Sequence, residues 1–568
     1  MRNKKTNPLK TAVKACKANI VTTIFFSLFI NLLMFVAPIH MLQIYDRVLV
    51  SRSEVTLIVL TVLALGLLVI YGLLEAVRSR LLIKTGLRFD ESVSDSLYRT
   101  VFRSSLRSAN GTENVQALRD LNNLREFLSG APIIAICDAP WVPIFIATGF
   151  FLHPVLGFVS LGGAIVIFIL ALVAEFSTKN LLREGATHQT ETINNAAASV
   201  RNAEIIHALG MIGTLKNLWQ KSHDQTISYQ VKASDRAALI MATSKFVRMS
   251  LQVLILGVGA YLAVMDEISP GTMIAASIIM GRALAPVEMA VGQWKVFVAT
   301  RSSYERVNRF FEQVPETAAP MQLPPPKGEI KVNQAVVVPP GSNQAVLKNV
   351  SFQLSPGTVL GVIGPSGSGK SSLARALVGV WPTINGSIRI DGAELIQWDP
   401  EFLGPFIGYM PQDVELFSGT VAENIARFQA NDGATVVEAA QKAGVHDLVL
   451  TFGDGYDTFI GSNGKALSGG ERQRIALARA VYGNPKILIL DEPNANLDTV
   501  GELALSKAIL SARAGGCSII IISHKISVLS TVDQLLVLKD GTVAMHGARD
   551  EVLKKLQPSA GVGSVKDA

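Results

Sequence analysis

The stretch VLGVIGPSGSGKSSLARALVGV, residues 359–380, decides the fold class of the second half of the chain. VLGVI reads as a buried strand, GPSGSGKS as a turn of glycines and small hydroxyls, and the remainder carries apolar residues at helical spacing. The turn fits the G-x-x-x-x-G-K-[ST] phosphate loop in the strand–loop–helix setting that this pattern requires. Its glycines let backbone N–H groups approach phosphates, Lys370 meets the β/γ oxygens, and Ser371 offers a hydroxyl to Mg2+. The expected nucleotide-binding residues are Gly364, Pro365, Ser366, Gly367, Ser368, Gly369, Lys370, Ser371 and Ser372.

Further strands end on the polar groups such a loop needs. In KILILDEP, an apolar strand delivers Asp491, placed to hold Mg2+, and then Glu492, placed to polarise an attacking water. Gln412, in YMPQD, follows a strand and is expected to reach both the Mg2+ and the water. His524, in IIISHK, ends another strand and is expected at the γ-phosphate; Asp498, in NANLD, follows the catalytic strand. Strand C-terminal ends are where open α/β sheets bind their ligands. The expected catalytic set is Glu492, His524 and Gln412, and the expected metal ligands are Ser371, Gln412 and Asp491.

Upstream, the texture changes. The chain has 568 residues, 49% of them hydrophobic, a length that implies roughly two to four domains. Before about residue 300 the apolar residues form long blocks, and afterwards they shorten to strand-sized runs. Six blocks are long enough to span a bilayer, near 20–41, 55–77, 131–152, 154–175, 245–265 and 270–293. The first is too long for a signal peptide and lacks a small-residue cleavage site, so it reads as an anchor. Arg2, Lys4, Lys5, Lys10, Lys14 and Lys17 precede it without an acid, which places the N-terminus in the cytoplasm. The short turns at His153-Pro154 and DEIS (266–269) then lie outside, and the charged segments 78–130 and 176–240 inside, as helices continuing past the membrane. LRSANGTENVQALRDL, from Leu106, breaks such a helix and restarts it, which fits equally a short crosswise helix touching a cytoplasmic partner domain and an ordinary solvated helical turn. The net charge of +7 sits largely beside these blocks, which explains it by topology and argues against a nucleic-acid partner. Cys16, Cys137 and Cys517 are far apart and read as unpaired thiols. Asp138, in CDAPWVPIF, is an acid near the inner edge of the third span; its two neighbouring prolines favour a structural role over a functional one.

The ordered set of phosphate loop, YMPQD, LSGGERQR, LILDEP, NLD and ISH resembles the ABC transporter family. With six spans ahead of it, the chain looks like a half-size ABC exporter: a membrane all-α domain of six transmembrane helices followed by an α/β P-loop ABC ATPase domain. The expected layout is a cytoplasmic segment 1–19, a transmembrane domain 20–310, a linker 311–329, an ABC nucleotide-binding domain 330–555 and a tail 556–568. In that family LSGG faces the ATP of the partner subunit, so the resemblance implies a homodimer in which Ser468, Gly469 and Gly470 meet a nucleotide on the other protomer's Lys370 loop. QIYDRVL, GVWPTINGSIRIDGAELIQWD, FSGTVAENIARF and DEPNANLD resemble the PrtD-like ATPase/permease branch of bacterial type I secretion. That resemblance implies ATP as cofactor with Mg2+, and a place in the bacterial inner membrane with the ATPase domain in the cytoplasm. It also implies export of an unfolded protein bearing a C-terminal signal, with a periplasmic adaptor (membrane fusion protein) and a TolC-type outer-membrane channel as partners. The chain begins about 20 residues before its first span, so no N-terminal peptidase-like domain is expected.

Two positions depart from the family pattern. Val338 stands where exporters usually carry an aromatic residue against adenine, and Glu471 stands where a glutamine usually follows LSGG. A carboxylate there is expected to repel phosphate unless Arg472 or Arg474 compensates, with activity surviving because the serine and glycines do the cradling. The rival readings are an exporter of lipids or small molecules and an ATP-gated channel or regulator; a soluble DNA-repair ATPase would lack the spans.

Overall fold

The computed structural model describes residues 7–107, 111–313, 323–430, 432–461, 467–523 and 530–556. The chain folds as two units, one of helices and one holding all the described strands.

Helices α1 (Pro8–Leu33), α2 (Glu54–Arg107), α3 (Gly111–Ser129), α4 (Ala131–Asp138), α5 (Val142–Leu152), α6 (Pro154–Arg201), α7 (Ile212–Val264), α8 (Pro270–Gly292) and α9 (Trp294–Gln313) build the first unit. Among the described residues, six helical stretches in it are long and apolar enough to cross a membrane, and each expected span falls within one of them to a residue. Helices α2, α6 and α7 run 54, 48 and 53 residues, more than twice the ~20 that a span needs. The break expected after Leu106 is present: α2 stops at Arg107 and the 19-residue α3 starts at Gly111, while the turn itself lies outside the described residues. Pro140 and Pro143 cannot continue a helical ladder, and the 3-10 turn Ala139–Trp141 separates α4 from α5.

Helix α1 starts well before residue 20. Asn7 caps it by accepting the Leu9 N–H at 3.0 Å, and Pro8 takes the first helical position, where no N–H is missed. Leu9, Ala12 and Cys16 share one face and pack on Phe89, Val93 and Leu97 of α2, Leu121 and Leu124 of α3 and Val307 of α9. One-sided apolar residues between lysines do not raise hydropathy, so the expected span caught only the later part of this helix. The stretch QIYDRVL forms a five-residue π turn, Ile44–Val48. Its Asp46 accepts the Gly271 N–H at 2.8 Å and the Ser269 hydroxyl, closing the N-terminus of α8 with a carboxylate.

In the second unit, β1 (Ile330–Val337), β2 (Leu347–Leu354), β3 (Val359–Ile363), β4 (Thr383–Ile390), β5 (Ala393–Glu394), β6 (Ile407–Met410), β7 (Gly419–Thr420), β8 (Phe459–Ile460), β9 (Ile487–Asp491), β10 (Ser518–Ile522), β11 (Gln534–Lys539) and β12 (Thr542–Ala548) form three sheets. The central one runs β12-β11-β3-β10-β9-β6, parallel except for β12. Strands β9 and β10 are buried along their whole length, which is why ILILD and SIIII are continuous apolar runs. Alternate residues serve the two faces. Leu488, Leu490, Ile519 and Ile521 enter one core with Ile475 and Leu477, whereas Ile487, Ile489, Ile520 and Ile522 enter another with Leu360, Val362 and Leu373. The register pairs Ile522 with both Val362 and Asp491, and Met410 with Leu490, so four parallel strands end at one edge.

Candidate functional site

That edge gathers the site. After β3 the phosphate loop leads into α10 (Lys370–Leu377), whose N-cap is Gly369. Gly369 adopts φ +98°, and a Cβ there would lie 2.8 Å from Leu347 Cδ2 and 3.1 Å from the Val346 carbonyl. Only glycine meets both demands. Pro365, Ser366 and Gly367 form an exposed crest, while Ser368, Gly369 and Lys370 are buried beneath it. The Lys370 ammonium donates to the Gly364 and Pro365 carbonyls at 2.8 and 2.9 Å. Burial lowers its pKa, and the neighbouring Glu492 and Asp491 carboxylates oppose that shift.

The expected residues converge in one hydrogen-bonded chain. The Ser371 hydroxyl donates to Gln412 Oε1 at 3.4 Å, and Gln412 Nε2 donates to Glu492 Oε2 at 3.1 Å. Asp491 is only 2% exposed, and its Oδ1 has no hydrogen-bond partner among the described residues. Burial raises its carboxyl pKa, against the pull of the Ser371 hydroxyl, Arg375 and Lys370. A buried carboxylate oxygen left over beside a hydroxyl and an amide oxygen is an all-oxygen donor set, which suits a hard cation of the Mg2+ kind. Ser371, Gln412 and Asp491 therefore fit the metal.

Glu492 stands in the left-handed region at φ +50°, an unfavourable conformation for a residue with a Cβ. Backbone bonds hold it there: its N–H donates to the Ile522 carbonyl at 2.9 Å, and its carbonyl accepts from Ala495 N–H at 3.2 Å. A third bond comes from a residue that the sequence reading passed over. Gln473 Nε2 donates to that same carbonyl at 3.3 Å, while Gln473 Oε1 accepts the Asn496 N–H at 2.9 Å. Gln473 is buried among the apolar positions of α11 (Gly469–Val481), four residues before Leu477. That helical spacing was the signal, hidden in the charged run ERQR.

Ser468 caps α11, and Glu471 is its reciprocal partner there. The Glu471 carboxylate accepts the Ser468 N–H at 2.7 Å, and the Ser468 hydroxyl oxygen accepts the Glu471 N–H at 3.3 Å. This is a capping box, so the acid is turned onto its own helix start, where the dipole favours a negative charge. The Ser468 hydroxyl keeps its proton for donation, and the N–H groups of Gly469 and Gly470 fall in the first turn, where the helix itself supplies no acceptor. Gly470 is required by crowding, since a Cβ there would lie 2.9 Å from the Asn496 carbonyl. Glutamine can take the same box position through its amide oxygen. Glu471→Gln is therefore expected to change steady-state ATP turnover by less than about twofold; a severalfold rise would show the acid to be a brake.

Asp498 is the N-cap of α12 (Thr499–Ala514), accepting the Gly501 N–H at 2.8 Å, and lies 3.6 Å from Arg474 of α11. Val338 follows β1 directly; the Val337 carbonyl accepts the Val346 N–H at 2.9 Å, and Val346 abuts Gly369, so this corner adjoins the phosphate loop. His524 lies outside the described residues, one position after the buried Ser523. Asp138 is engaged elsewhere: its Oδ1 accepts from Arg78 Nη1 at 2.8 Å and from Asn31 Nδ2 at 3.0 Å, which ties α4 to α2 and α1. All three cysteines are free and buried, as expected.

Residues 347–495 match the family described as ABC transporter, and residues 20–286 match that described as ABC transporter transmembrane region. The chain is 42% identical to the type I secretion system ATP-binding protein PrsD of Rhizobium meliloti (strain 1021), covering 95% of this chain and 93% of that one. It is 28% identical to the leukotoxin translocation ATP-binding protein LktB of Mannheimia haemolytica, over 94% of this chain and 76% of that one. A toxin RTX-I translocation ATP-binding protein of Actinobacillus pleuropneumoniae is 29% identical, with the same coverages of 94% and 76%. Among solved structures, a bacterial Atm1-family ABC exporter with ATP bound has a TM-score of 0.80 at 20% identity, over 95% of this chain and 96% of that one; this is a likeness of fold.

Proposed function

This chain belongs to the ABC transporter family, and from that premise we propose that it is the ATPase and permease of a type I secretion system. It exports an unfolded protein with a C-terminal signal across the inner membrane. The observation that carries this reading is 42% identity, over nearly the full length of both chains, to a type I secretion ATP-binding protein. The toxin-translocation relatives support a protein cargo. The chain works with a periplasmic adaptor and a TolC-type outer-membrane channel. It sits in the bacterial inner membrane with its N-terminus and ATPase domain in the cytoplasm, consistent with the unopposed lysines before the first span.

The working unit is a homodimer holding two ATPs. Each ATP is gripped by one subunit's phosphate loop, with Lys370 at the β- and γ-phosphates, and is met from across the interface by Ser468, Gly469 and Gly470 of the partner. Ser371, Gln412 and Asp491 would hold Mg2+, and the bound ion would supply Lewis-acid stabilisation of phosphoryl charge. Glu492 orients and deprotonates the attacking water, and Gln412, bonded to both Ser371 and Glu492, keeps base and metal side in register. His524, outside the described residues, is assigned to the γ-phosphate by its place in the sequence pattern alone. Binding closes the two ATPase domains and hydrolysis releases them, so ATP biases a two-state equilibrium of the spans. Deleting this chain from its host is expected to remove one or a few proteins from the culture medium, read by mass spectrometry of secreted protein. An unchanged set of secreted proteins with altered membrane lipids would overturn the protein-export reading.

A further inference from the structure

Arg427 and Phe428 both adopt φ +57°, two consecutive side-chain-bearing residues in the left-handed region. The Arg427 guanidinium explains what holds them there. Its Nε donates to the Arg479 carbonyl at 3.1 Å, its Nη2 to those of Ala480 and Tyr482 at 3.2 and 3.5 Å, and its Nη1 to those of Gly404 and Ile407 at 2.9 and 3.1 Å. All five bonds end on backbone carbonyls. Three of those carbonyls close the last turn of α11, where a cation is favoured by the helix dipole. The other two bracket the entry to β6, the strand that delivers Gln412.

A second arginine repeats the link from the opposite side. Arg479, in that same last turn, donates to the Glu415 carbonyl at 3.1 Å and lies 5.7 Å from the Phe417 ring centre. The segment carrying Gln412 is thus fastened to the C-terminal end of α11 both before and after the glutamine. Helix α11 is 13 residues long, a rod of about 20 Å, and Ser468 caps its other end.

We propose that Arg427 is a positioning residue that joins the end of α11 to the strand bearing Gln412, so that a push on Ser468 reaches Gln412 and, through it, Glu492. The inference rests on the reading of Ser468 as the group that meets the partner's nucleotide. It gives the half-site at one end of the helix a mechanical route to the chemistry of its own subunit. Neither lysine nor glutamine can reproduce the fork that reaches three directions at once.

The test uses the full chain in lipid nanodiscs, comparing the parent with R427Q and R427K. Affinity is read from binding of a fluorescent ATP analogue, turnover from steady-state phosphate release, and both are normalised to titrated binding sites. R427Q is expected to lose about tenfold or more in kcat with Kd and KM within about twofold, since no phosphate contact is touched. R427K is expected to fall between R427Q and the parent. An unchanged kcat in R427Q, or a loss that vanishes after normalisation to binding sites, would overturn the proposal. If R427Q is not recovered folded, R427K decides it alone: lowered kcat at constant Kd supports the link, and parental kcat rejects it. S468R separates the underlying reading: if S468R turns over ATP normally, the partner-facing role fails, whereas loss of turnover in S468R with a normal R427Q rejects the coupling alone.

Discussion

Glu492→Gln is expected to lower ATP turnover by two to four orders of magnitude while leaving ATP bound, the range that loss of a positioned general base produces. The geometry gives the reason that binding survives. Glu492 Oε2 accepts from Gln412 Nε2 at 3.1 Å, and the amide oxygen of a glutamine at 492 can accept that same bond. The left-handed backbone at φ +50° is held by main-chain bonds to Ile522 and Ala495 and by the Gln473 amide, none of which involves the Glu492 carboxylate. Lys370 and the phosphate loop are likewise untouched. What is lost is a carboxylate able to take a proton from water. The variant should retain ATP through a desalting column in the presence of Mg2+ and remain dimeric, because the closed state no longer resets. Parental turnover in this variant would mean that another group is the base. A variant that neither binds nor hydrolyses would mean that Glu492 holds the site together instead of acting in it.

The parts of this site that were legible in the sequence are those where chemistry fixes the spacing. A phosphate loop must run strand, glycines, lysine, hydroxyl, helix, and 359–380 does. An acid pair must follow a buried strand, and β9 delivers Asp491 and Glu492 at the edge where β3 and β6 also end. Gln412 was legible for the same reason, as a polar residue at a strand end, and the structure places it between Ser371 and Glu492. What escaped are contacts fixed by the meeting of distant elements. Gln473 looks like one polar residue in ERQR, yet it is buried between the backbones at Glu492 and Asn496. Arg427 follows an ordinary helix start, and its five carbonyl partners lie 20 to 55 residues away in sequence. Glu471 is a different case: the S-x-x-E pattern of a capping box stands in the sequence at Ser468, and the structure forms that box. In α1, the Leu9, Ala12 and Cys16 face is periodic but too narrow to register as a span.

Arg78→Met is expected to destabilise the membrane unit by ~3–5 kcal/mol, the cost of stripping one partner from a buried ion pair. Arg78 is 3% exposed and donates to Asp138, to Ser27 and twice to Glu75, at 2.7 to 3.2 Å, so a single guanidinium answers two carboxylates. Asn31 of α1 adds its own bond to Asp138 at 3.0 Å. Without Arg78, Asp138 faces Glu75 with no cation between them, in surroundings where a bare charge is costly. Asp138→Asn should be much milder, since its amide oxygen still accepts from Arg78 and Asn31 while Glu75 remains to balance the cation. Combining Arg78→Met with Asp138→Leu should recover part of the loss, because removing both members of a buried pair costs less than removing one. Thermal unfolding of the detergent-purified chain, with the ATPase rate per folded molecule as a second readout, orders these variants. A structural lock predicts that Asp138→Asn, once folded, hydrolyses ATP and exports its cargo like the parent. If that variant folds normally but fails to export, Asp138 belongs to the transport path and its prolines and partners were secondary. If Arg78→Met melts with the parent, the cluster is not what joins α1, α2 and α4.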